Sequence, residues 1–148
     1  MKTTVRELVE ALQAQGQGGL KRLSTQPLGI KMAYKINRLA DSAMSAYNEY
    51  EKVRYSLIVK YGAPVKDADG NDTADLQVLP ENTEAFTKEL EEFVDTEKDI
   101  WYEPVTLQEL EGVKLSAGDI TFLKPFIIFP EDDNGVIEIP ERKLITVK

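Results

Sequence analysis

The chain contains no cysteine and no histidine. Without thiols there can be no disulfide framework, no thiolate metal site and no cysteine nucleophile. Without imidazoles the commonest general base and the commonest transition-metal ligand are both missing. Long apolar runs are absent too. The longest, Phe126-Ile127-Ile128-Phe129, has the length of a strand, whereas a membrane-spanning helix needs about 20 apolar residues. The opening residues, Met1 to Gly16, are interrupted by charges and lack the apolar core of a signal peptide. The Gly-rich stretch Gln15 to Lys21 follows a helical pattern and lacks the spacing of a phosphate-binding loop. Adjacent acids such as Glu91-Glu92 and Asp132-Asp133 fall on solvated elements, where nothing desolvates one of them for acid–base work. Together these absences predict a non-enzymatic, cytoplasmic protein with no cofactor and no metal.

What is present is charge, unevenly spread. The 148 residues carry a net charge of −8, but residues 1–61 hold 10 basic and 5 acidic side chains while residues 62–148 hold 8 basic and 21 acidic. A basic half and an acidic half attract one another within a chain or between chains, and a basic face can also receive an anion. The length fits one domain, 1–148, with a basic helical part up to residue 61 and an acidic α+β part after it.

The apolar pattern is helical first. Val5, Leu8, Val9 and Leu12 form one stripe over residues 4–15. From Leu28 to Tyr61 there is no proline, and Met32, Ile36, Leu39, Ala43, Ala46, Tyr50, Val53 and Leu57 alternate steps of four and three. That is a heptad seam. A helix of this length is a rod of roughly 50 Å, longer than the ~40 Å diameter of a compact chain of this size. The seam therefore predicts an overhang covered by a second copy, with these eight residues as the interface; the alternative is a kinked helix folded against the first helix and the one over 82–98. A helix over 82–98 carries Phe86, Leu90, Phe93 and Val94, and Ser116 with Asp119 spells a capping box before a further short helix.

The intervening Asp67-Ala68-Asp69-Gly70-Asn71-Asp72 fails as a calcium loop, because Gly70 is fourth and Val78 twelfth where the loop needs glycine sixth and glutamate twelfth. It predicts a turn. Residues 100–107 read as a strand; 126–129, 136–139 and 144–147 read as a small C-terminal antiparallel sheet around the Asn134-Gly135 turn. The expected fold is α+β: a long amphipathic helix, two or three shorter helices and that sheet.

Candidate binding residues lie on the long helix. Lys31, Lys35 and Arg38 at i, i+4 and i+7 form a basic ridge. Tyr47 and Arg54, with Tyr61, follow one another at seven-residue steps, offering stacking faces and a guanidinium fork for phosphates or bases. The net charge and the short ridge disfavour duplex nucleic acid. Trp101-Tyr102 makes an aromatic cluster beside Ile100 and Val105, suited to core packing or to a partner-binding patch.

The segments Tyr50-Glu51-Lys52-Val53-Arg54-Tyr55-Ser56-Leu57-Ile58-Val59-Lys60-Tyr61-Gly62, Phe86-Thr87-Lys88-Glu89-Leu90-Glu91-Glu92 and Leu115 to Phe126, with the Asp-Gly-Asn loop, resemble small accessory proteins of tailed bacteriophages. The resemblance covers about two-thirds of the chain and contains no catalytic motif. It implies a viral protein made inside a bacterium. The function expected from these readings is that of an oligomeric binding protein that occupies a host or phage macromolecule. The alternatives are a sponge for an anionic nucleotide signal of bacterial immunity, which would make it a host-defence antagonist, and a virion assembly component or chaperone.

Overall fold

The fold is described from a computed structural model, which defines residues 1–13 and 19–129. The chain is α+β. A short strand β1 (Lys2–Thr4) leads into helix α1 (Val5–Gln13), then α2 (Gly19–Ser24) and the long helix α3 (Ile30–Tyr61). A hairpin of β2 (Gly62–Lys66) and β3 (Asp72–Val78) turns back to α4 (Thr83–Val94) and β4 (Glu97–Asp99). β5 (Val105–Thr106), α5 (Ala117–Leu123) and β6 (Ile127–Ile128) complete it. Among the described residues no helix is long and apolar enough to cross a membrane.

Among the described residues the strands form three two-stranded sheets: β1 with β4 and β2 with β3, both antiparallel, and β5 with β6, parallel. Among the described residues the antiparallel pairs join residues 2–4 to 97–99 and 62–66 to 72–78. The expected strands at 136–139 and 144–147, the turn at 134–135 and the joint at 15–18 fall outside the described residues. The expected helix over 82–98 stops at Val94, because the chain then pairs as β4 with β1, in register Thr3 to Lys98. Of the expected strand over 100–107, only Val105–Thr106 forms a strand.

The turn at Asp67 forms as its residues dictate. Asp67 Oδ1 accepts from the backbone N–H groups of Asp69 and Asn71, each at 2.9 Å, and Gly70 adopts φ +84°. A left-handed backbone of this kind favours glycine. At the other end of the hairpin Gly62 allows a close approach: a Cβ there would lie 2.4 Å from the Ile58 carbonyl oxygen and 2.6 Å from that of Gln77.

α3 is the spine. Met32, Ile36, Leu39, Ala43, Ala46 and Leu57 are buried, and Tyr50 and Val53 are half-buried. The N-terminal half of this seam packs against Leu8, Ala11, Leu20 and Leu23 of α1 and α2, together with Tyr102, Leu123 and Phe126. Tyr47 and Tyr50 pack against a second cluster of Val5, Val9 and Val94. The expectation that a second copy covers the seam is therefore replaced by cover from the chain itself. α4 and the β2–β3 hairpin lie along the C-terminal half of α3, a stretch that α1 alone is too short to reach.

The charge asymmetry is satisfied within the chain. Arg6 binds Glu91 and Asp95, Arg22 binds Asp119, Lys35 lies near Glu103 and Glu109, and Lys60 binds Glu89. Each pair joins a cation from the first 61 residues to a carboxylate from beyond them. Most of these pairs are exposed and individually weak. Arg22–Asp119 differs. Asp119 is fully buried, its Oδ2 accepts from Arg22 Nε at 2.8 Å and from the Ser116 N–H at 3.0 Å, and Ser116 Oγ accepts from the Asp119 N–H at 3.1 Å. The capping box read from the sequence thus also anchors α2 to α5.

Candidate functional site

β4 ends at Asp99, and just beyond it the neighbouring side chains of Trp101 and Tyr102 differ in burial, one exposed and one buried. Tyr102 points inward, where its ring lies edge-on to Phe126 and its hydroxyl donates to the Phe126 carbonyl at 2.8 Å. Burial pushes the Tyr102 hydroxyl up to about 12. Trp101, the only tryptophan in the chain, points outward and is 54% exposed. The backbone just before it is held by the Ile100 N–H donating to the Met1 carbonyl at 2.9 Å, which extends the β1–β4 pairing.

Two residues of α3 hold the indole. The Arg38 guanidinium lies 4.3 Å over the Trp101 ring, within cation–π range. Tyr34, one turn earlier, meets the same ring edge-on, with centroids 5.6 Å apart and planes at 72°. Arg38 and Trp101 stand on the wall of a cleft of about 380 Å³ between α3, α1 and the 98–101 segment. Ser42, Ser45 and Asp41 line its α3 side; Lys98 and Asp99 face them.

The charges in this cleft are partly neutralised in place. Lys98 Nζ lies 2.6 Å from Glu49 Oε1, and the Met1 ammonium lies 3.4 Å from Asp99 Oδ1. Among the described residues Arg38 has no carboxylate within ion-pair distance, Asp41 has no cation, and the Ser42 and Ser45 hydroxyls make no hydrogen bond. The cleft thus presents one guanidinium on an aromatic platform, one carboxylate and two hydroxyls. That set complements a partner carrying both an acceptor and a cation. It is poorly suited to a polyanion, which would meet Asp41, Glu49 and Asp99.

The five residues expected to bind a ligand do not converge. At about 100° per residue, Tyr47 and Arg54 lie roughly half a turn round α3 from Arg38. Tyr47 packs on the second core cluster, and Arg54 is held by Glu51, with Nε 3.1 Å from Oε2. Lys35 is half-buried, 3.4 Å from Glu103 and 3.5 Å from Glu109. The Thr106 backbone N–H, and then Lys35, hold the Glu109 carboxyl below its ordinary range. Lys31 is exposed. Arg38 alone among the five reaches the cleft. Sequence reasoning did not find Ser42, Ser45 and Asp41. Their signal was there, since 38, 41, 42 and 45 share a helix face.

Among the described residues no group of three or more acidic, histidine or cysteine side chains is placed to hold a metal ion. Comparison with known protein families, with curated proteins and with solved structures finds no match to this chain.

Proposed function

We propose that this is a non-enzymatic binding protein that grips an exposed polypeptide segment of another macromolecule in the Trp101 cleft. The observation that carries the reading is the stack of Arg38 on Trp101 at the cleft wall, with Tyr34 edge-on to the same indole from outside it. Tryptophan, tyrosine and arginine are the residue types that dominate binding energy at protein interfaces. Here they orient one another before any partner arrives, which lowers the entropy lost on binding. Arg38 would receive a carboxylate or carbonyl of the segment, Asp41 a basic side chain, and Ser42 and Ser45 its backbone. Action in the cytoplasm of a bacterial host, on a host or phage macromolecule, is supported by the sequence resemblance.

The test is selection of binding peptides from a random displayed library on the full chain, followed by calorimetry of the enriched peptides. Trp101→Ala should weaken their binding by about 2 kcal/mol or more, roughly 30-fold. Arg38→Glu should weaken peptides containing an acid most. Peptides that bind Trp101→Ala as well as the native chain would overturn the reading. Thermal stabilisation by nucleotides, lost in Arg38→Glu, would put nucleotide sequestration in its place.

A further inference from the structure

We infer that two copies of this chain pair antiparallel along the outer face of α3, through Ile30, Tyr34, Met44, Tyr55 and Val59. Opposite its buried face α3 carries five exposed apolar side chains with polar residues between them. Ile30, Tyr34, Met44 and Tyr55 each stand two residues before a buried one, Met32, Ile36, Ala46 and Leu57. Two residues are about 200° round an α-helix, so the exposed stripe lies opposite the face that packs into the core. Its members are 87%, 54%, 48%, 62% and 54% exposed, in chain order.

The stripe reads nearly the same from either end. A two-fold axis perpendicular to α3, passing between residues 44 and 45, brings Ile30 against Val59 of the second copy and Tyr34 against its Tyr55. The two Met44 side chains meet near the axis. Between these apolar pairs, Asn37 faces Lys52 and Asp41 faces Asn48, so no like charges are opposed. An isologous dimer requires this kind of self-complementarity, because one patch must match itself after rotation. Parallel pairing of the same faces would set Asp41 against Asp41 and Lys52 against Lys52.

The area is sufficient. A large aromatic buries about 150–250 Å² when covered, so side chains about half to nine-tenths exposed lose roughly 100 Å² each. Five per copy give about 1,000 Å² for the pair, the lower bound of a specific interface, and the polar residues between them add to it. The pairing does not depend on a ligand in the Trp101 cleft. It borders that cleft, since Tyr34 touches Trp101 of its wall and Asp41 belongs to both surfaces, and it leaves Arg38, Ser42 and Ser45 on the neighbouring flank of the helix.

The absence of native cysteine makes the register testable by cross-linking. Facing helices about 8–10 Å apart, with Cα radii of about 2.3 Å, bring opposed Cα atoms to roughly 3.5–5.5 Å, a range that overlaps disulfide reach. Sedimentation equilibrium of the full chain at micromolar to hundred-micromolar concentration should show a dimer. Tyr55→Glu, an exposed site whose change leaves the thermal midpoint near that of the native chain, should weaken association at least tenfold. Under mild oxidation Met44→Cys should cross-link to itself. Tyr34→Cys and Tyr55→Cys should cross-link only when mixed. A monomer throughout, a dimer unaffected by Tyr55→Glu, or self-cross-linking of Ile30→Cys would each overturn the proposal.

Discussion

Replacing Asp119 tests whether a single buried carboxylate joins α2 to α5. Its Oδ2 accepts from Arg22 Nε and from the Ser116 N–H, while Oδ1 is buried without a hydrogen-bond partner. Asp119→Ala removes hydrogen bonds to a charged group, worth about 1.5–3 kcal/mol, and half of a capping box, worth about 0.5–1 kcal/mol more. The Arg22 side chain is 34% exposed, so its guanidinium regains water. The cost therefore falls toward the lower end of the 3–5 kcal/mol expected on breaking a fully buried pair, at about 3 kcal/mol. For a chain of this size that lowers the melting temperature by roughly 10 °C. Asp119→Asn keeps an acceptor for Ser116 and loses the charge alone, so it should cost about half as much.

The pH dependence has a definite sign. Arg22 and then the Ser116 groups hold the Asp119 carboxyl below its ordinary value. A depressed folded-state pKa gives stability that is present above the unfolded value, near 4 for aspartate, and lost as the pH falls through the folded value. Urea denaturation followed by circular dichroism should separate the native chain from Asp119→Asn at pH 7, and the gap should close below about pH 4. A difference under about 1 kcal/mol at pH 7, or one that widens on acidification, would refute the reasoning.

Gly62→Ala should destabilise by roughly 2–3 kcal/mol, because the new Cβ meets backbone oxygens of both Ile58 and Gln77; chemical denaturation reads the loss. Tyr102→Phe removes the hydroxyl that donates to the Phe126 carbonyl, at a cost of about 1–2 kcal/mol in the same assay. Leu39→Ala opens the centre of the α3 seam, where Leu39 is buried, and should cost about 3 kcal/mol in thermal or urea melts.

The long helix was legible because its seam is regular and nothing breaks it between Gly29 and Gly62. The capping box at Ser116 and the turn at Asp67 were legible because their chemistry is local. Of the β2–β3 hairpin only a short edge strand over 76–79 was legible, since Gly62–Lys66 and Asp72–Val78 contribute only Val65, Leu76 and Val78 as large apolar residues. β1 and β4 are three residues each, too short for any period to show, and pair across more than 90 positions. The length of α3 favoured a second copy as cover for the seam, whereas α1, α2, α4 and the hairpin lie against it within the chain. At the site, Arg38 stood out on its ridge and Trp101 in its aromatic cluster, but their contact spans 63 positions. No local pattern reports such a pairing. The same helix period also contained the outer stripe, visible only once the inner face was known to be buried by its own chain.

Nuclear magnetic resonance gives the most direct test of the Trp101 cleft, because one tryptophan yields one indole N–H signal. A selected peptide titrated into labelled protein should shift that signal together with the backbone amides of Tyr34, Arg38, Ser42, Ser45 and Asp99. An unmoved indole, with shifts gathered instead on α4 or the β2–β3 hairpin, would contradict the account.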